Sequence, residues 1–88
     1  MTQQIRRKRM RFRASHRGFK EMDLILGRFA EERLDSLTDA ELDQFEAILD
    51  AADGPLYHWI TGKEDVPAAF DTPVMAALRA YTPFQPEK

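Results

Sequence analysis

Arg17, Gly18 and Glu21 stand in the run Arg17-Gly18-Phe19-Lys20-Glu21, and their types suit recognition better than packing. Arginine offers a planar fork of donors to a carboxylate or to carbonyls. Glutamate accepts hydrogen bonds, and a glycine between them leaves the backbone bare to close approach. On a helix, Arg17 and Glu21 would share a face. Arginine ahead of glutamate is, however, the weaker order for such a pair, worth about 0.2–0.5 kcal/mol at best. Glycine in a helix interior costs about 1 kcal/mol relative to alanine. The motif is therefore poor for stability, which fits a partner-facing role. A frayed first turn carrying a solvated ion pair fits it equally.

Other candidates for chemistry are sparse. The chain has no cysteine, so it has no disulfide framework, thiolate metal site or cysteine nucleophile, and it suits a reducing compartment. The two histidines, His16 and His58, are far apart in sequence and lack a helical i,i+4 partner, so a zinc site would need acids from elsewhere. His58 reads as a surface residue on a short helix. Its neighbours Tyr57 and Trp59 read as core or interface anchors, Trp59 mainly core. The carboxylates between Glu31 and Asp53 read as solvated faces and caps. A glycosidase-type acid pair is excluded by size, because a small bundle offers no deep cleft.

Charge is segregated along the chain. Residues 1–20 hold eight cations (Arg6, Arg7, Lys8, Arg9, Arg11, Arg13, Arg17, Lys20) and no acid, while the remainder holds five cations and all 15 acids. Such a dipolar chain can bind an acidic surface with one end. A basic arm over about 1–10 suits either nucleic acid or solvent and a protein partner. The acidic remainder, and the lack of zinc, RNP-like or convincing helix-turn-helix motifs, favour the second use. Arg11 and Arg13, with His16, extend the face of Arg17 as an accessory partner surface.

Periodicity places these residues on helices. Strand alternation is nearly absent and helix signals dominate, so the fold is all-α, a compact bundle of about five short helices in one 88-residue domain. The expected helices cover about 4–14, then 17–33 with the stripe Met22, Ile25, Leu26 and Phe29. A capping box, Thr38 with Glu41, opens a third helix with the stripe Leu42, Phe45, Ile48 and Leu49. Asp53 is expected to cap a fourth helix with Pro55 in its first turn and Gly62 at its end. Thr72 and Pro73 start the fifth, which carries Val74, Met75, Leu78 and Tyr81. Pro83 and Pro86 end it in a proline-containing tail, about 82–88. No run approaches the ~20 apolar residues of a membrane span, so membrane insertion is not expected. The basic start leads directly into the motif without room for a cleaved presequence, so a bacterial cytoplasmic protein is expected rather than a mitochondrial matrix one.

In order along residues 11–82, the chain resembles the small succinate dehydrogenase assembly factors of the SdhE type, relatives of mitochondrial assembly factor 2. The resemblance rests on His16-Arg17-Gly18-Phe19-Lys20-Glu21-Met22-Asp23, then Phe29, Leu37-Thr38-Asp39-Ala40-Glu41, Phe45 to Leu49 and Leu56-Tyr57-His58-Trp59-Ile60. It implies a five-helix protein that binds the flavoprotein subunit of succinate dehydrogenase, and possibly that of fumarate reductase. It implies promotion of covalent FAD attachment to a histidine of that subunit, with Arg17, Gly18 and Glu21 as the flavinylation signature. On that reading the chain is no enzyme, acts as a monomer and has no cofactor or metal of its own. It acts on FAD held by its partner, by proximity and preorganisation. Gly18 admits the partner's backbone, Arg17 offers its fork to the partner, and Glu21 accepts hydrogen bonds or orients Arg17. A proton-transfer role for Glu21 would require a shifted pKa. The rival reading is a small regulatory binder, antitoxin-like or nucleic-acid binding, that works through the basic arm.

Overall fold

The structure is a computed structural model, and residues 2–81 are described. Five α-helices follow one another: α1 Thr2–Ser15, α2 Lys20–Arg33, α3 Asp39–Asp50, α4 Asp53–Thr61 and α5 Pro73–Tyr81. Short 3-10 turns, Leu34–Ser36 and Ala68–Phe70, join α2 to α3 and precede α5. No strand occurs among the described residues, as the periodicity predicts. The basic stretch at 1–10 lies largely within α1, and the proline-containing tail at 82–88 lies outside the described residues.

One core serves all five helices. The stripes of α2 (Met22, Ile25, Leu26, Phe29) and α3 (Leu42, Phe45, Ile48, Leu49) are buried as read, and Leu56, Ile60, Val74, Met75 and Leu78 close it from α4 and α5. Phe29 is its hub, 5.3 Å from the ring of Phe45 and edge-on to Tyr81 at 5.4 Å. From α1, Met10 and Ala14 enter the core; they are four apart and so lie on one side of the helix. Gly27 lets α1 lie close against α2, because a Cβ there would stand 3.2 Å from Cβ of Ser15.

The helix ends follow local chemistry. Thr38 and Glu41 form the reciprocal capping box, Gly62 closes α4 in the left-handed conformation at φ +84°, and Thr72 Oγ1 accepts from the Met75 N–H at 3.2 Å. Two starts differ from expectation. α2 begins at Lys20, not at 17, because Gly18 has φ +87° and Phe19 is extended. Arg17 and Glu21 therefore do not share a helical face. Asp53 is the first residue of α4, and Ala52 takes the cap position without a side-chain bond. Trp59 is half-buried rather than core, tilted against Phe70 at 4.9 Å.

The segregated charges of the sequence meet in space. Arg6 donates to Asp43 at 2.6 Å and to Glu46 at 2.7 Å, and these bonds hold its guanidinium pKa above the ordinary arginine value. Arg7 donates to the carbonyls of Leu34 and Leu37. Several carboxylates read as solvated faces are thus clamps that hold α1 onto α3 and the first 3-10 turn.

Candidate functional site

The connection between α1 and α2 folds into a corner, and Arg17 anchors it. Its Nε donates to Asp53 Oδ1 at 2.5 Å, one Nη to the Leu49 carbonyl at 2.8 Å and the other to the Ala51 carbonyl at 2.7 Å. The last carbonyls of a helix have no intrahelical partner and carry the negative end of its dipole. The guanidinium sits at that end of α3 and against the acidic first residue of α4. With its side chain only 11% exposed, Arg17 turns its fork inward. The expectation of a fork offered to a partner is replaced by that of a staple across the α3–α4 junction.

Two further side chains complete the anchorage. The Arg17 backbone N–H donates to Asp23 Oδ1 at 2.8 Å. The ring of Phe19 packs against Tyr57 of α4, with centroids 5.0 Å apart. Asp53, Asp23 and Phe19 are positioning residues that the sequence reading assigned elsewhere or passed over. Nothing in the sequence pointed to them, since Asp53 was expected as the cap of α4 and the bond partners of Asp23 and Phe19 depend on the folded chain.

Gly18 and Glu21 face the other way. Gly18 is exposed, and a Cβ placed on it would meet nothing within 4 Å. Its positive φ supplies a second reason for glycine, since other L residues pay about 1–2 kcal/mol in that region. Glu21 is half-exposed, and its carboxylate has no hydrogen bond or ion pair among the described residues. Phe19 provides no side-chain cap to α2, so the N–H groups of the first turn stay open beside Gly18. The corner thus displays bare backbone, open donors and one unengaged carboxylate.

The accessory residues separate. Arg11 pairs with Asp35 at 3.3 Å and Arg13 with Asp50 at 2.6 Å, so neither turns to Arg17. His16 is exposed, with Nδ1 2.9 Å from the Phe12 carbonyl oxygen and 3.1 Å from Ser15 Oγ, and it stacks on the Phe12 ring at 3.9 Å. His58 lies 3.4 Å from Glu64. Among the described residues no three His, Asp or Glu side chains gather as a metal site would require, and no helix is long and apolar enough to cross a membrane.

A family model described as the flavinator of succinate dehydrogenase matches residues 8–82, which take in the whole corner and helices α2 to α5. The chain belongs to this family. One relative in it is the mitochondrial succinate dehydrogenase assembly factor 2 of Meyerozyma guilliermondii, 40% identical over 65 residues that cover 74% of this chain and 48% of the relative. The FAD assembly factor SdhE of Acetobacter pasteurianus is 40% identical over 73 residues, 83% of this chain and 67% of the relative. The assembly factor 2 of Dictyostelium discoideum is 32% identical over 75 residues, 85% of this chain and 53% of the relative. The chain thus spans about half the length of these two mitochondrial relatives. No solved structure matches it.

Proposed function

We propose that the chain is an assembly factor that binds the flavoprotein subunit of succinate dehydrogenase, with that of fumarate reductase as a second client, and promotes covalent attachment of FAD to it. Membership of the flavinator family supports the activity. The observation that carries the site is the division of the signature: the Arg17 side chain is consumed inside the molecule, while Gly18 is exposed at the turn and the Glu21 carboxylate has no hydrogen bond or ion pair among the described residues.

In this reading the chain works by contact, as a monomer, and the flavin and the histidine it joins both belong to the partner. Arg17 sets the angle of the corner, through Asp53 and the end of α3. Gly18 admits the partner's backbone, which reaches the open N–H groups at the start of α2. Glu21 accepts hydrogen bonds from the partner. Holding the partner's reacting groups in one arrangement lowers the barrier by removing orientational freedom, without any nucleophile on the helper. We place this work in the bacterial cytoplasm, following the bacterial relative, although other relatives are mitochondrial. The nucleic-acid or antitoxin reading loses support, because Arg6, Arg11 and Arg13 of the basic stretch are neutralised by carboxylates of the same chain.

The test is covalent flavin on the dehydrogenase subunit, read as in-gel fluorescence after denaturation, in cells lacking this protein and in cells restored with wild type or Glu21→Ala. The expected result is loss in the deletion, rescue by wild type and failure of Glu21→Ala. Unchanged covalent flavin in the deletion would refute the reading.

A further inference from the structure

Helix α1 has two faces with different fates. Met10 and Ala14 on its inner side are buried, and Arg6, Arg7, Arg11 and Arg13 along the flanks are all bonded within the chain. The outer side carries Ile5, Lys8, Arg9 and Phe12, with His16 just past the helix end, and no acid. Phe12 is 62% exposed and Ile5 54%. Lys8 and Arg9, between them, have no hydrogen bond or ion pair among the described residues. Two large apolar side chains thus stand mostly exposed beside two unneutralised cations, with Phe12 stacked on the exposed His16.

We infer that the outer face of α1 is a second contact surface for the flavoprotein subunit, and that it takes an acidic segment with apolar side chains at its two ends. The inference rests on the assembly reading above and extends the contact beyond the signature. Ile5 and Phe12 are seven residues apart, which puts them on one line about 10 Å apart. Lys8 and Arg9 lie between them. The complementary segment therefore carries carboxylates between two apolar groups at that spacing. The stripe also runs into the signature corner. Phe12 stacks on His16, and both line a cleft of about 300 Å³ with Arg17, Leu49 and Asp53. A partner seated on Gly18 and Glu21 thus meets this stripe next.

Charge and width favour a protein over a lipid surface. A membrane-surface helix turns a broad apolar face outward, whereas α1 spends its inner apolar residues on the core and leaves only Ile5 and Phe12 outside.

The test titrates the purified apo-flavoprotein subunit with the full-length wild type, Phe12→Ser and the double variant Lys8→Glu/Arg9→Glu, each at low and high salt. All of these side chains are exposed, so helicity and melting temperature stay at wild-type values. The expected result is an affinity about tenfold weaker for Phe12→Ser, as for an apolar contact residue at an interface. The double variant binds at least as weakly and loses most of the salt dependence. Binding by both variants within twofold of wild type, with the same salt dependence, overturns the inference while leaving the signature reading intact. A wild-type chain that does not bind the subunit overturns both. Phe12-dependent self-association, or Phe12-dependent binding to phosphatidylserine vesicles, with flavoprotein affinity unchanged, also overturns it, in favour of a second copy or a lipid.

Discussion

Arg17 and Glu21 are four residues apart in one motif, yet one is bonded on every side and the other on none. The inward half of the corner is built like a helix cap. Three guanidinium bonds tie it to the end of α3 and the start of α4. The outward half, Gly18 and Glu21, makes no side-chain bond within the described chain. A short motif can thus join two unlike demands, one residue fixing the backbone and its neighbours presenting it. Substitutions in the two halves should fail in different ways.

The largest effect should come from the outward half. Glu21→Ala should remove nearly all covalent flavin from the partner subunit while its stability falls by no more than about 1 kcal/mol, the contribution of an acid in the first turn of a helix. In-gel flavin fluorescence and thermal melting of the same preparation check both parts. Unfolding of this variant would break the comparison.

Arg17→Ala should do the reverse. Removing the staple leaves two carbonyls and Asp53 without their cation, at a cost of about 2–3 kcal/mol for a partly buried charge-assisted cluster. That is a large part of the stability of a small domain. Urea unfolding would show it, with flavinylation falling in step with the folded fraction. Arg17→Lys should recover only part, since an ammonium has no fork to serve Asp53 and two carbonyls together.

Gly18 tests the boundary between the halves. Gly18→Ala should cost about 1–2 kcal/mol, from the positive φ alone, and Gly18→Asn less, because asparagine tolerates that region. Both should impair flavinylation by a similar factor if a partner's backbone rests on Gly18. Full activity of the asparagine variant would assign the glycine to conformation only.

The smallest effect lies far from the corner. Burial raises the pKa of the Tyr81 phenol, and its hydrogen bond to Glu32, 2.9 Å away, raises it further. The neutral phenol is therefore favoured in the folded chain. Its contribution is fully present below the ordinary tyrosine pKa of about 10, and it fades as pH rises through the folded value. Alkaline absorbance titration should show one late tyrosine ionisation that disappears in Tyr81→Phe.

What was legible in the sequence is what is local. The Thr38–Glu41 box, Gly62 and the Thr72–Pro73 start depend on neighbours a few residues away, and the stripes of α2 and α3 follow helical period. The inward half of the corner was not legible. Arg17 finds its partners 32 to 36 residues along the chain, and two of the three are backbone carbonyls, which leave no mark in a sequence. The start of α2 moved because glycine at positive φ and glycine in a frayed turn look identical as letters. Phe12 shares the first helix with the large apolar residues Ile5 and Met10. In a segment so rich in arginine, nothing in the sequence tells which apolar residues turn inward, and Met10 and Ala14 took that place.

The staple also governs how the molecule can come apart. One guanidinium joins two connections, α1 to α2 and α3 to α4, so opening either one breaks the bonds that tie it to the other. The two loops should therefore exchange their amide hydrogens as one cooperative unit, at a slower rate than solvent-facing turns ordinarily do. A push delivered at Gly18 is then resisted by the α3–α4 junction rather than absorbed as loop motion.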